Sequence, residues 1–225
     1  MSVMIAHASI DERGTVKGGQ AGDQTGREVC IRKWYNKPWG CVIRFTDPVM
    51  ANRLASCMEM AAANDCIGYD QNQRNSLLKE ARKYNYDVSK VRTRCETDCS
   101  ALVSVACMYA GVPESTLTLH GNCATTRTLR QILKSTGEVD VYTTALYTSK
   151  PDKLKRGDIL LKEGSHVVVV IKTDNDAQKS LQEVAQEVID GKWGNGAARR
   201  TNLMAAGYNY AMVQAEVNRI LKERK

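Results

Sequence analysis

Apolar positions recur at spacings of three and four most clearly in Leu102, Val103, Ala106, Cys107 and Ala110, directly after the polar turn Glu96-Thr97-Asp98. That spacing predicts a helix opening at Cys99, with Thr97 or Asp98 as its N-cap and one face in the core. The same period predicts a helix over 48–63, with Leu54, Met58, Ala61 and Ala62 on one face and Pro48 in the first turn. Shorter helices are expected over 76–84 and 125–135. Residues 159–161 and 166–171 are unbroken apolar runs around a turn at Gly164, so they read as two strands, the second opening with His166. From 7 to 45 the chain is punctuated by glycine, and 28–35 and 40–45 read as strands paired across Asn36-Lys37-Pro38-Trp39.

After Ile171 the pattern changes. Residues 172–180 form a polar linker, and three short helices follow: one closing on a glycine turn, one over 197–206 stopped by Gly207, and one over 210–222. The last would bury Val213, Val217, Ile220 and Leu221. A chain of 225 residues accommodates this division, a domain over 1–176 and a small helical unit over 181–225. The first 47 residues would be a strand-rich extension of the larger domain.

Candidate chemistry lies where the long apolar helix begins. A cysteine in the first turn faces unpaired backbone N–H groups and the positive end of the helix dipole, which favour a thiolate. The alternative is that Cys99 is a small buried apolar group, as free cysteines often are. His166, at the mouth of a strand 67 positions later by residue number, supplies what a Cys/His nucleophile–base pair needs. Together, Asp98-Cys99-Ser100 and the stretch from Gly157-Asp158-Ile159 to Ser165-His166-Val167 resemble the NlpC-type papain-like peptidoglycan peptidases and amidases. The resemblance spans roughly 49–172 and implies an α+β papain-like fold.

Composition adjusts this picture in three places. Eight cysteines all precede residue 124 and no two form a Cys-x-x-Cys pair, so zinc is disfavoured and most of these thiols are expected to be reduced packing groups. His7, His120 and His166 are too scattered for a zinc-ligand set, and His120, in a loop before Gly121, reads as a surface or rim residue; no metal and no cofactor is expected. The formal charge of +7 is spread evenly, without an aromatic-interleaved basic stripe, so nucleic acid is not the expected partner and an anionic bacterial wall suits the surface equally well. No apolar run is long enough to span a bilayer, so membrane insertion is not expected. Residues 1–10 lack the pattern of a signal peptide, so the expectation is synthesis in the cytoplasm and action on the wall after release.

The resemblance extends to finer roles. In NlpC-type enzymes a tyrosine after the first helix helps bind the oxyanion, and Tyr69 occupies the matching place; half-buried packing is its other reading. The stretch from Ala6 through Gly22-Asp23-Gln24-Thr25-Gly26 to Pro38-Trp39 resembles the N-terminal region of phage-type peptidoglycan hydrolases, although a solvated turn explains residues 22–26 by themselves. The third polar residue of NlpC-type sites usually follows on the strand after the histidine strand, and here the polar linker stands instead. The N-terminal segment is then expected to supply a strand to the vacant sheet edge, presenting Asp23, or failing it Gln24, to the imidazole.

The tail closely resembles the small Cpl-seven-type cell-wall-binding repeat of phage lysozymes and endolysins. The matching residues are Glu187-Val188-Ile189-Asp190-Gly191-Lys192-Trp193-Gly194-Asn195-Gly196, Arg199, Ala206-Gly207-Tyr208 and Val213-Gln214 with Val217-Asn218. Trp193 and Tyr208 would offer flat apolar faces, and Asn195 and Arg199 directional donors, to muramyl sugars and stem-peptide carboxylates. Trp193 as the core of a tiny bundle is the alternative. The expectation for the whole is a phage-type endolysin: a cysteine peptidoglycan amidase or endopeptidase held on the wall by a C-terminal three-helix bundle.

Overall fold

The computed structural model describes residues 3–173, 181–206, 208 and 210–223, and the chain separates into two compact units, Met1–Asn175 and Asp176–Lys225. The first is a mixed α+β unit. It runs β1 (Met4–Ala8), β2 (Val29–Lys33), β3 (Cys41–Phe45), α1 (Pro48–Ala62), β4 (Ile67–Tyr69) and α2 (Ser76–Ala81). Then come β5 (Cys95–Thr97), α3 (Cys99–Ala110), α4 (Glu114–Leu117), β6 (Thr118–Leu119), β7 (Asn122–Cys123) and α5 (Leu129–Ser135). The unit closes with β8 (Val139–Tyr142), α6 (Ala145–Thr148), β9 (Ile159–Lys162) and β10 (His166–Lys172).

Six strands form one sheet in the order β2-β1-β10-β9-β3-β8, every neighbouring pair antiparallel. Alternation along β10 sorts its side chains to two faces. Val167, Val169 and Ile171 join the large core with α1 and α3, while Val168 and Val170 join a smaller cluster with Ile5, Trp39 and Leu160. The expected pairing of 28–35 with 40–45 does not form: β2 sits at one edge on β1, and β3 lies beyond β10 and β9. The connection, seven residues from Trp34 to Gly40, is longer than a tight hairpin turn. Its aromatics, Trp34, Tyr35 and Trp39, instead pack into the smaller cluster, which carries the chain across the sheet end.

Helix α1 starts where Asp47 accepts a hydrogen bond from the Val49 N–H at 2.7 Å, with proline at the first helical position. Helix α3 differs from expectation in being buried nearly all round: of its residues only Tyr109 is not fully buried. A helix apolar on every side belongs to the interior, and α3 lies among α1, α2 and β10. Gly111, at φ +124°, ends it.

In the second unit, α7 (Leu181–Ile189), α8 (Gly196–Ala205) and α9 (Tyr210–Glu223) share a core of Val184, Ala185, Val188, Trp193, Leu203, Val213 and Val217. Leu221, expected inside, is 44% exposed, while Ile220 beside it packs against the core. The stretch expected as a linker lies mostly, and Gly207 wholly, outside the described residues.

The Gly157-Asp158 pair shows how sequence becomes packing. Asp158 is fully buried and takes Arg44 through two bonds, Nε to Oδ1 at 2.6 Å and Nη2 to Oδ2 at 2.7 Å. Gly157 has φ +86°, and a Cβ there would overlap the Ala51 carbonyl of α1. Gly157→Ala therefore incurs both left-handed strain and overlap, together about 2–4 kcal/mol. A urea midpoint unchanged from wild type would refute this account of the α1–sheet contact.

Candidate active site

Cys99 reaches its position through a cap and an arginine. Asp98 Oδ1 accepts from the Ala101 N–H at 2.7 Å and from the Ser100 hydroxyl at 3.0 Å, which sets the start of α3. Arg74 grips the same carboxylate, Nε to Oδ2 at 2.5 Å, and donates to the carbonyls of Cys123 and Ala124 at 2.9 and 2.8 Å. This arginine, between β4 and α2, ties three segments to the cysteine loop, and no sequence spacing marks it. The Cys99 thiol meets β10 at the backbone N–H of Val167, the residue after His166.

His166 projects to the opposite face, with Val168 and Val170, and there it meets a residue to which the sequence pattern assigns no role. His7 Nδ1 lies 2.9 Å from His166 Nε2, with the rings edge to face and their centroids 5.2 Å apart. The topology produces this contact: β1 pairs antiparallel with β10, and the register Ile5↔Val170, Ala6↔Val169 sets His7 diagonally from His166. The sheet edge beside the histidine strand, expected for 28–35 or 40–45, is taken by neither: β1 fills it. A short, nearly continuous apolar run, Met4-Ile5-Ala6-His7-Ala8, is its signal.

The place expected for Asp23 or Gln24 is thus held by His7. Asp23 spends both carboxylate oxygens on its own turn, accepting from the N–H groups of Thr25, Gly26, Glu28 and Val29 at 2.6 to 3.3 Å. Gln24 donates to the carbonyls of Ala21 and Gly22. Short Asx-type bonds satisfy such a turn locally, which leaves neither side chain free to reach an imidazole. The turn braces the site indirectly, because Glu28 takes the Gln24 N–H with Oε1 and the Tyr69 N–H with Oε2. Tyr69 is 3% exposed, and its hydroxyl accepts from Gln71 Nε2 at 3.1 Å, leaving its own proton to donate. Its phenol and the Cys99 sulfur are near enough for charge on one to disfavour charge on the other.

Aromatic rings enclose the two imidazoles. Trp39 stacks on His166 at 6.4 Å between centroids, Tyr35 lies 5.8 Å from Trp39, and His7 lies 6.5 Å from Tyr35. Burial pushes His166 down to about 3 and His7 to about 4, with the charges of Arg32 and Lys37 acting in the same direction. Burial also pushes the Cys99 thiol up to about 12, helped by Asp98, and the N–H groups of Val167 and Ser100 only partly offset it. The expected helix-start thiolate is therefore replaced by a neutral thiol on one face of β10, and the imidazoles on the other face are neutral as well. For His166 Nδ1 to be a base, the ring proton must sit on Nε2 and donate to His7 Nδ1. His7 then carries its proton on Nε2, a buried atom without a hydrogen-bond partner among the described residues.

The tail residues form a separate group in the second unit. Trp193 is 9% exposed, meets Tyr208 edge to face at 5.9 Å, and donates from Nε1 to Glu187 at 3.2 Å. Arg199 donates to the Gly194 carbonyl and to Asn195 Oδ1, each at 3.1 Å, and Asn195 is exposed. His120 is exposed in its loop. All eight cysteines are free, and among the described residues no group of three or more His, Cys, Asp or Glu is placed to hold a metal. No helix among them is long and apolar enough to cross a membrane.

Residues 5–177 match the endolysin-like domain family, and residues 182–221 match the CW_7 repeat. A lysozyme of Streptococcus phage Cp-7 is 55% identical over 42 residues, which is 19% of this chain and 12% of that protein. The chain thus spans about an eighth of that relative's length. No solved structure matches the chain.

If the resting site holds a neutral thiol, alkylation of Cys99 by iodoacetamide should rise about tenfold per pH unit from pH 6 to 9, since only the thiolate reacts. Peptide-resolved mass spectrometry separates Cys99 from the other cysteines. A rate plateau below pH 8 would show a preformed thiolate–imidazolium pair instead.

Proposed function

The chain belongs to the endolysin-like domain family, and from that premise we propose that it is a peptidoglycan hydrolase that cleaves an amide bond of the bacterial wall by a Cys/His thiol mechanism. The observation that carries the reading is the corner of β10, where the Cys99 thiol meets the Val167 N–H on one face and, on the other, His166 Nε2 lies against His7 Nδ1, which supports His166 Nδ1 as the base. A cysteine at a helix start, packed on an antiparallel sheet whose strand opens with histidine, supports the likeness to papain-like NlpC-type enzymes. Here the third polar group comes from a strand before the cysteine in sequence.

In this mechanism His166, at the first position of β10, has to present Nδ1 around the strand end to Cys99 on the other face; it then takes the thiol proton as sulfur attacks the scissile carbonyl carbon. The Cys99 N–H and the Tyr69 hydroxyl receive the developing oxyanion. The imidazolium then returns its proton to the leaving amine as the C–N bond breaks, and water hydrolyses the thioester by the same base. His7 accepts the Nε2 proton throughout and keeps the tautomer. Asp23 and Gln24 act at a distance, holding the turn that braces Tyr69 through Glu28. A glycosidic reading, which the name of the phage relative suggests, needs two carboxyl groups flanking an open cleft. Buried Glu28 and Glu96, both 0% exposed, do not offer that.

Wall attachment is assigned to residues 182–221, with Arg199, Asn195 and the edges of Trp193 and Tyr208 as the face for muramyl sugars and stem-peptide carboxylates. Trp193 contributes mainly as core, since its ring is buried and its N–H is taken. Arg199 carries the directional contact.

Cys99→Ser and His166→Ala should each lower release of amino groups from purified walls at least about 10³-fold, and the double variant should be little worse than either. His7→Ala should cost about 10²-fold and move the acid limb of the pH profile upward, because a neighbour that depresses His166 is gone, while His7→Asn restores part of the rate. Multiplicative losses in the double variant, or full activity in His7→Ala, would defeat this assignment. For the tail, Arg199→Ala should weaken pull-down on walls with its circular dichroism unchanged. Undiminished binding would remove Arg199 from the wall-binding face.

A further inference from the structure

The segment that lays Tyr35 and Trp39 against the imidazoles also carries two cations that the thiol chemistry does not use. Arg32 is next to last in β2, opposite Ile5 of β1, its guanidinium 4.9 Å above the centre of the Tyr35 ring. Lys37 lies half-buried in the connection that follows. Neither forms an ion pair among the described residues, whereas Arg44, Arg74 and Arg156 each hold a carboxylate. The one carboxylate that acts on His166 in the opposite sense, Asp98, is itself gripped by Arg74.

Two uncompensated cations beside a general base are costly, since each disfavours the imidazolium that the reaction must form. The arrangement becomes productive when the substrate brings the missing negative charge. We propose that Arg32, held over the Tyr35 ring that faces His7, together with Lys37, which the chain places between Tyr35 and Trp39, forms a subsite for a carboxylate of the peptidoglycan stem peptide next to the scissile amide. The inference rests on the function proposed above. A bound carboxylate would do two things at once: it would fix the peptide through charge-assisted hydrogen bonds, and it would cancel the field that weakens His166. A substrate whose carboxylate is amidated would lose both.

The test uses the full chain on purified walls, untreated or with their carboxylates converted to carboxamides by carbodiimide and ammonia. Wild type should release amino groups at least about tenfold faster from untreated walls, the ratio expected from one lost charge-assisted contact. In Arg32→Gln/Lys37→Gln, with melting temperature and wall pull-down unchanged, that ratio should fall toward one, chiefly through a higher KM on untreated walls. Amidation that slows wild type and the double variant equally, or slows neither, overturns the subsite. If Cys99→Ala degrades walls as fast as wild type, the proposed function itself fails, so the two failures are distinguishable.

Discussion

Strand β10 is the constraint from which the rest of the first unit follows. It is buried on both faces from His166 to Ile171, so the backbone groups on both its edges need partners. One edge is met by β9 and the other by β1, which draws the N-terminus of the chain into the middle of the sheet. Strand β2 then has nowhere to pair but on the outer edge of β1, where Ile31, Arg32 and Lys33 are exposed. The chain must cross β1, β10 and β9 to enter β3, and the crossing aromatics become the wall around the imidazoles. His7, Trp39 and Arg32 thus reach the site as consequences of a single strand pairing.

The same pairing explains why the site rests in its neutral form. A thiolate–imidazolium pair needs solvent or counter-charge, and the corner of β10 has little of either: Cys99 is 6% and His166 8% exposed. The helix start supplies N–H groups to the sulfur, but its cap is Asp98, a carboxylate whose charge opposes the thiolate. Under the proposed mechanism, proton transfer would be coupled to attack on the substrate, and charge would appear only when the oxyanion and imidazolium form together. A dry site strengthens each electrostatic contact made at that moment.

Local signals make the cysteine side of the site legible, and topology hides the rest. The polar turn before an apolar run marks the start of α3, and the valine run after Gly164 marks β10 with its leading histidine. Cys99 and His166 therefore stand out from residue type and spacing alone. His7 does not, because its role depends on β1 docking beside a strand about 160 positions later, and a five-residue strand carries a weak period. Aromatic residues between two apolar runs look like a hairpin connection because no local feature distinguishes a turn from a crossing. Asp23 is a reasonable candidate by residue type, but an aspartate two residues before a threonine and three before a glycine satisfies itself within its own turn. Arg74 has no spacing signature at all.

Burial of charge-bearing groups also bounds the pH range in which this architecture is comfortable. His7 and His166 are held below their unfolded values, so between about 4 and 6.5 the unfolded chain binds more protons and acid weakens the fold. Glu96 has the opposite sign. It lies on β5, two residues before the Asp98 cap, fully buried, and burial together with Glu28 and Asp70 pushes it up to about 8. Between its unfolded value and about 8 the folded chain holds the extra proton, so stability declines as pH rises through that interval. These groups contact the N-terminal segment: His7 lies on β1 against His166 of β10, and Glu96 of β5 lies against the turn at Gly22. The groups that complete the site and its neighbourhood thus set acid and alkaline limits on the stability of the fold.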